Sequence, residues 1–202
     1  KVFTYTIRAG DNDTNGISIG ADVLALNSGT IRDAAGNNAI LTHIAVLDNS
    51  SYMVDTTSPT ANFTKANDNE GTVTGDFTSD NTTDDTTLVL SGTNEAGSSV
   101  KVYDNSTYLG TATAESTTSW SYSATVANGT TYQFNVRETD LAGNTSAATS
   151  NLAVTGDTTA PTAPSVSGTT PTDNTTPTWS WSAGGGGNGT YRYKLDNNDL
   201  TS

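Results

Sequence analysis

The pattern of hydrophobic and polar positions predicts an all-β protein. Apolar side chains alternate with polar ones over short runs rich in β-branched and aromatic residues, as in half-buried strands. Gly, Asn, Asp or Ser separates the runs, and no stretch keeps the 3.6-residue period of a helix. Six strands are predicted around Leu88 and Leu90, Val100 and Val102, Tyr108, Trp120 and Tyr122, Tyr132, Phe134 and Val136, and Leu152 and Val154. The side chains that we expect to be buried are Leu88, Leu90, Val100, Val102, Trp120, Phe134 and Val136.

Two sequence elements occur twice in the same order. Asp55-Thr-Thr-Ser-Pro59 returns as Asp157-Thr-Thr-Ala-Pro161, an offset of 102 residues, and Asp33-Ala-Ala-Gly-Asn37 returns as Asp140-Leu-Ala-Gly-Asn144. A period near 100 residues is the size of an immunoglobulin-like β-sandwich. The repeat therefore predicts tandem immunoglobulin-like modules: the C-terminal part of one in residues 1–57, a complete one in 58–158, and the N-terminal part of a third in 159–202.

Composition and charge narrow the possible partners. The chain has 21 acidic and 8 basic residues and a formal charge of −13. Such a charge opposes binding to nucleic acid or to an anionic membrane. No apolar run reaches the ~18 residues that a membrane span needs, so direct insertion is not expected. The chain has no cysteine, so disulfides cannot stabilise it and bound metal is the substitute that we expect outside the cell.

The residues give little support for catalysis. His43 is the only histidine, and it lies in Ile40-Leu-Thr-His-Ile-Ala-Val46, which reads as a strand. The carboxylates fall in turns and linkers, so we predict that the chain is not an enzyme. Trp179 and Trp181 share strand parity and face one side. They are either a platform for sugars or, as we favour, part of the core of another module.

Five segments of residues 58–158 resemble the bacterial immunoglobulin-like repeats of large surface adhesins, including biofilm-associated and calcium-dependent ones. The segments are Thr83-Asp-Asp-Thr-Thr, Leu90-Ser-Gly-Thr-Asn-Glu-Ala-Gly97, Val100-Lys-Val-Tyr-Asp104, Trp120-Ser-Tyr and Asp140-Leu-Ala-Gly-Asn144. Pro177-Thr-Trp-Ser-Trp181 and Tyr191-Arg-Tyr-Lys-Leu-Asp196 look like a related repeat. The resemblance implies export to the cell surface, a stalk or adhesive role, and Ca²⁺ at or near module junctions.

The resemblance leaves the partners open. Neighbouring modules of the same chain are expected, and a surface polysaccharide, a host surface or an abiotic surface would be bound through other domains. The alternatives are an ancillary Ig-like or carbohydrate-binding module of a secreted polysaccharide-active enzyme, and a subunit of an extracellular filament or surface layer.

One candidate Ca²⁺ loop lies near the start of the chain. Asp11-Asn-Asp13-Thr-Asn15-Gly16 fits the first half of a calcium loop, with oxygen side chains at alternate positions and a glycine for the sharp turn. Asp22 stands at the twelfth position, where a glutamate is usual, so the closing ligand is weaker. The alternative is a polar hairpin turn.

The junction carboxylates form the second candidate Ca²⁺ site. In an immunoglobulin-like module the Asp140 turn should approach the incoming linker at Asp55, near Asn94 and Glu95. At the other end, Asp84 and Asp85 should approach the outgoing linker at Asp157. Crowded carboxylates repel unless a cation neutralises them, and Asp33 is the counterpart of Asp140 in the first module. The alternative is that Asp33 and Asp140 only cap turns, with the glycine of each motif at positive φ.

Overall fold

The computed structural model of the chain describes residues 4–168, 173, 175–186 and 193. These residues form fourteen strands and no helix. In chain order the strands are β1 (Ile17–Ile19), β2 (Val46–Asn49), β3 (Asn62–Asp68), β4 (Gly75–Phe77), β5 (Asn81–Thr83), β6 (Thr87–Thr93), β7 (Ser99–Asp104), β8 (Thr107–Thr111), β9 (Thr113–Ser116), β10 (Ser119–Thr125), β11 (Thr131–Thr139), β12 (Leu152–Gly156), β13 (Ser165–Gly168) and β14 (Trp179–Ser182).

The strands of residues 62–156 form two five-stranded sheets. One has the order β4-β3-β6-β10-β9 and the other the order β5-β12-β11-β7-β8. The pairings β7 with β11 and β7 with β8 are antiparallel, whereas β5 and β12 run parallel. Strands β1 and β2 pair outside these sheets, as do β13 and β14. The all-β prediction is confirmed, and the two sheets are consistent with an immunoglobulin-like β-sandwich.

The hydrophobic core follows the alternation of each strand. In β6, β7 and β12 the even-numbered apolar side chains (Leu88, Leu90, Val100, Val102, Leu152 and Val154) are buried, and the residues between them are less so. All seven side chains predicted to be buried are buried, and Val100, at 5% exposure, is the most exposed of them. Ala66, Ala124, Val126, Leu152 and Val154 complete the core. Each of the six predicted strands is present.

One strand expected from the sequence is absent in the described residues. Residues 40–45, around His43, do not form a strand. The side chains of Ile40 and Ile44 are 86% and 88% exposed, so neither packs into a core. Trp179 and Trp181, expected to pack in the core of a third module, are 38% and 44% exposed, so the residues present here do not bury them. The predicted repeat Tyr191–Asp196 lies outside the described residues except for Tyr193.

The Cα positions group into two compact units. Of the described residues, the first comprises 4–65, 90–122 and 133–152, and the second comprises 66–89, 123–132 and those from 153 onward. The first unit contains the linker at Asp55 and the turn at Asp140. The second contains Asp84, Asp85 and the linker at Asp157, so each predicted junction site lies within one unit.

Candidate functional site

The two copies of the Asp-x-Ala-Gly-Asn motif form the same turn. Asn37 donates to Asp33 through its backbone N (2.9 Å to Oδ1) and its side-chain Nδ2 (2.8 Å to Oδ2). The corresponding distances from Asn144 to Asp140 are 2.8 and 2.9 Å. The glycines, Gly36 and Gly143, have φ of +89° and +94°, which a side chain would strain. Both carboxylates therefore cap a turn.

The caps stabilise the ionised form of both aspartates. The side-chain bond from Asn37 is the main cause that lowers the pKa of Asp33 below its ordinary value. Burial raises the pKa of Asp140, but the bonds from Asn144 and from backbone N–H groups outweigh burial, and the net direction is downward. Both groups are thus charged at neutral pH and able to attract a cation.

The Asp140 turn contacts the incoming linker. Asn144 Nδ2 donates to the backbone oxygen of Asp55 at 3.1 Å. A cavity of about 380 Å³ opens beside this contact. Four carboxylate residues contribute to its lining, namely Asp13, Asp55, Glu95 and Asp140. The structure therefore brings the Asp140 turn, the incoming linker and Glu95 to one place in the first unit.

These carboxylates do not form a ready-made metal site. Among the described residues, no three His, Asp or Glu side chains lie close enough together to hold a metal ion. Asp55 Oδ1 accepts from the backbone N of Thr57 at 2.8 Å, and both oxygens of Asp140 are occupied by Asn144. An ion in the cavity would have to keep part of its water shell.

A buried glutamate beside this cavity was not singled out from the sequence. Glu138 is fully buried, and its Oε1 accepts from Glu95 N at 2.5 Å and from Ser98 Oγ at 2.6 Å. Its Oε2 and the Oδ1 of Asn94 are buried and have no hydrogen-bond partner among the described residues. Burying such oxygens without a partner costs free energy. The alternation in β11 could have predicted its burial, because Glu138 has the same parity as the inward-facing Phe134 and Val136.

In the N-terminal loop, each of the four predicted metal-ligating side chains forms hydrogen bonds with a different part of the protein. Asp11 Oδ2 accepts from Arg8 N and from Tyr5 Oη, both at 2.8 Å, and the bond from Arg8 N is the first cause of its lowered pKa. Asp13 Oδ1 accepts from Gly16 N at 2.8 Å, which is a turn cap. Asn15 Nδ2 donates to Asp48 Oδ2 at 2.5 Å, and Asp22 Oδ1 accepts from the backbone N of His43 at 2.8 Å. The backbone φ of Asp22 is +53°.

At the outgoing end, the predicted acids separate into a buried and an exposed one. Asp85 is 2% exposed, and it accepts from the backbone N of Thr87 at 2.6 Å and of Asn69 at 3.3 Å. Asp84 is exposed. The backbone N of Asp157 donates to the oxygen of Thr83 at 2.8 Å, so the outgoing linker does reach this segment.

An asparagine holds each Asp-Thr-Thr linker by two bonds. Asn12 Oδ1 accepts from Thr56 N at 2.9 Å while its Nδ2 donates to Thr57 Oγ1 at 2.8 Å. Asn128 makes the same pair of bonds to Thr158 and Thr159 at 2.8 and 3.0 Å. We call these two arrangements the linker clamps. Sequence reasoning missed them, because each asparagine lies far along the chain from its linker and outside the repeated motifs.

Comparison with known proteins identifies the central part of the chain. A family profile described as "Bacterial Ig-like domain" matches residues 56–158, which begin at one Asp-Thr-Thr linker and end at the next. No curated protein and no solved structure matches the chain. In the part of the chain that is described, no helix has the length and apolarity that crossing a bilayer requires.

Proposed function

The chain belongs to the bacterial Ig-like domain family, and from this membership we propose that it is an extender segment of a secreted or cell-surface bacterial adhesin. Domains of this family occur in surface and extracellular proteins and are typically non-catalytic. An extender holds a distal binding region away from the cell. For that purpose, the chain needs stable modules and linkers that do not swing freely.

The repeated linker clamp is the observation that carries this proposal. The same two bonds, at 2.8–3.0 Å, fix the linker segment at Thr56 and at Thr158. Ordering the backbone of one residue costs roughly 1–2 kcal/mol, and the clamp bonds offset part of that cost. A spacer of defined length needs an ordered linker, whereas a flexible tether does not. The bond from Asn144 to Asp55 adds a contact across the incoming joint.

We further propose that Ca²⁺ stiffens the incoming joint. The support is chemical: the cavity beside Asp55 is lined by four carboxylate residues, and oxygen ligands of this kind suit Ca²⁺. The described carboxylates lie too far apart for direct coordination by three of them. Asp55, Glu95 and Asp140 would therefore hold the ion together with bound water. Asp33 would serve the joint of its own module, and Asp84, Asp85 and Asp157 the outgoing joint.

Calorimetry of the whole chain tests the proposed Ca²⁺ site. Binding to the folded form alone stabilises it by about 2.7 kcal/mol at a hundredfold excess over Kd. The melting temperature should therefore rise with Ca²⁺ and fall with chelator, and Asp140→Asn should reduce this response. Glu115→Gln removes one charge in an exposed strand and serves as the control. An equal melting temperature with and without chelator would refute the metal proposal.

Surface labelling tests the extender role separately. An antibody raised against residues 58–158 should label intact cells of the source bacterium, and external protease should remove the label. Labelling that requires cell lysis would contradict an adhesin role, whatever the outcome with Ca²⁺.

The exposed tryptophans favour a second candidate, an ancillary module of a secreted polysaccharide-active enzyme. The ring centroids of Trp181 and Tyr193 are 5.9 Å apart, and the Trp179 ring packs against Gly168. Exposed aromatic faces stack on sugar rings. If this candidate holds, neutral polysaccharides should shift the fluorescence of the chain and Trp179→Ala with Trp181→Ala should abolish the shift. Trp120, which is 2% exposed, provides the unresponsive background.

A further inference from the structure

Basic and aromatic side chains meet on the outer surface of the second five-stranded sheet. In β7, the side chains of Val100 and Val102 are buried, so Lys101 and Tyr103 point outward. Arg137 of β11 is also exposed, and it stands directly opposite Lys101 in the register of the two strands. Tyr108 of β8 pairs with Tyr103 and is 52% exposed. We call Lys101, Tyr103, Tyr108 and Arg137 the cationic face.

The four side chains contact each other in a row. The guanidinium carbon of Arg137 lies 5.6 Å from the centroid of the Tyr103 ring. The Tyr103 and Tyr108 rings are 5.7 Å apart at 61°, and Lys101 Nζ lies 6.0 Å from the centroid of the Tyr108 ring. These contacts hold the cations and rings in place without using the hydrogen-bonding capacity of either cation.

Two like charges stand opposite each other in this row. Like charges directly opposite each other destabilise a sheet, yet two of the chain's 8 basic residues occupy such a pair. The chain has 21 acidic residues. Even so, among the described residues neither Lys101 nor Arg137 makes an ion pair with a carboxylate. A sheet surface that keeps two cations unpaired in an acidic protein is complementary to an anion.

We propose that the cationic face binds an anionic polysaccharide, with its carboxylates on the two cations and its sugar rings against the two tyrosines. Guanidinium and ammonium groups form strong, charge-assisted bonds with carboxylates. The apolar face of a sugar ring fits an exposed aromatic ring. Tyr108 Oη lies 2.9 Å from Thr111 Oγ1, which places two hydroxyl groups where sugar hydroxyls would bond.

The charge of the whole chain favours a polysaccharide over other polyanions. Nucleic acid carries one charge per ~1.7 Å of duplex, and an anionic bilayer presents a continuous negative surface. Either one would bring many charges against a chain with a formal charge of −13. In a uronate polymer each sugar carries one carboxylate on an otherwise uncharged ring, so a short stretch of it brings few charges and several ring faces to the protein. The cationic face is the outer surface of a sheet, so we expect weak binding by one module, which several modules in series would strengthen.

This proposal goes beyond the extender role and is independent of the Ca²⁺ site. The extender role requires no ligand on the module itself, and the cationic face contains none of the linker or cavity residues. To keep the two proposals distinguishable, the binding experiment is done with EDTA present. Under these conditions no Ca²⁺ can bridge acidic groups of the protein and the polymer.

Polygalacturonate, a polymer of one uronic acid, is the probe. Its binding to the whole chain is measured by calorimetry in ~0.1 M NaCl, where the Debye length of about 10 Å screens distant charges more than contacts. Carboxyl-reduced polygalacturonate lacks the charge, and polyglutamate carries carboxylates without sugar rings. Each of Lys101→Gln and Arg137→Gln should weaken binding about threefold to tenfold, as loss of a charge-assisted bond does. Tyr108→Ala should weaken it as well.

Arg8→Gln is the matched control, because it removes the same charge from an exposed residue outside the cationic face. It should leave the affinity unchanged. Three results would overturn the proposal: no binding of polygalacturonate, equal binding of the carboxyl-reduced polymer or of polyglutamate, or an equal loss of affinity in Arg8→Gln.

Discussion

Trp120 shows how single residues adapt to each other in this fold. Its indole N–H donates to the backbone oxygens of Asn62 and Thr93, each at 3.2 Å, so a large and nearly buried ring leaves no donor unpaired. Gly92 makes this position possible, because a Cβ there would lie 2.7 Å from the indole ring and 2.0 Å from the oxygen of Asn62. The sequence predicted the burial of Trp120 from strand parity. It could not predict the role of Gly92, which depends on a strand 58 residues away from Trp120.

The first prediction concerns Phe134, which is fully buried in β11. Phe134→Ala should lower the free energy of unfolding by about 3–5 kcal/mol, because truncation of a buried aromatic side chain leaves a cavity. Chemical denaturation of both forms measures the difference. Leu141→Ala is the control: Leu141 is 85% exposed, and surface changes usually stay within about 0.5 kcal/mol. A loss below ~1 kcal/mol for Phe134→Ala would contradict its place in the core.

At the scale of elements, strands with apolar alternation were predictable and polar ones were not. The alternating apolar residues Leu88 and Leu90 predicted strand β6, and Val100 and Val102 predicted strand β7. Strand β3 carries Asn62-Phe-Thr-Lys-Ala-Asn-Asp68, whose buried members are Ala66 and Asp68. Its aspartate is tolerated inside because Thr83 Oγ1 donates to it at 2.6 Å. A buried polar pair of this kind gives no hydrophobic signal, so β3 to β5 and β9 were missed.

The converse error occurs at residues 40–45, where alternation is present and the strand is not. Alternation states which side chains would share a face, but a strand forms only where a neighbour accepts and donates the ladder bonds. His43 N instead donates to the side chain of Asp22 at 2.8 Å. The sequence therefore predicted the fold class reliably and individual exposed strands less so.

The second prediction belongs to the linker clamps. Asn128→Ala removes the acceptor of the Thr158 N–H bond and the donor to Thr159 Oγ1. Hydrogen exchange at the Thr158 amide should accelerate at least several-fold, because a bond of about 1 kcal/mol no longer closes the segment. NMR measures exchange at single amides.

The first clamp provides the matched control for this experiment. Asn12→Ala should accelerate exchange at Thr56, whose N–H donates to Asn12 Oδ1, and leave Thr158 unchanged. Asn128→Ala should leave Thr56 unchanged. If either variant changes both linkers equally, the effect is global destabilisation and the clamps are not local devices.

At the scale of the whole molecule, the sequence predicted where the acidic residues lie better than it predicted what they do. The sequence placed Asp140 near the Asp55 linker and the Thr83 segment near Asp157, and hydrogen bonds of 3.1 and 2.8 Å connect these elements. The predicted order of the strands could not show in which direction each carboxylate side chain points. The bonds of Asp140 to Asn144 and of Asp13 to Gly16 show each carboxylate turned toward its own turn. Whether a cation joins them depends on free-energy differences that spacing along a chain does not encode.

The last prediction separates a bound ion from simple charge screening. A chain with a formal charge of −13 should become somewhat more compact in any salt, because repulsion between its acidic residues is screened. Ca²⁺ held at the joints should do more, since it also restricts bending there. Small-angle scattering in Ca²⁺ should give a narrower distribution of interatomic distances than in NaCl of equal ionic strength, and chelator should reverse the change. Asp55→Asn together with Asp140→Asn should remove the difference between the two salts while the circular dichroism of the strands stays the same, because no core residue is altered. Equal scattering in both salts for the unmodified chain would mean that the joint carboxylates act only as turn caps and as solubilising charge.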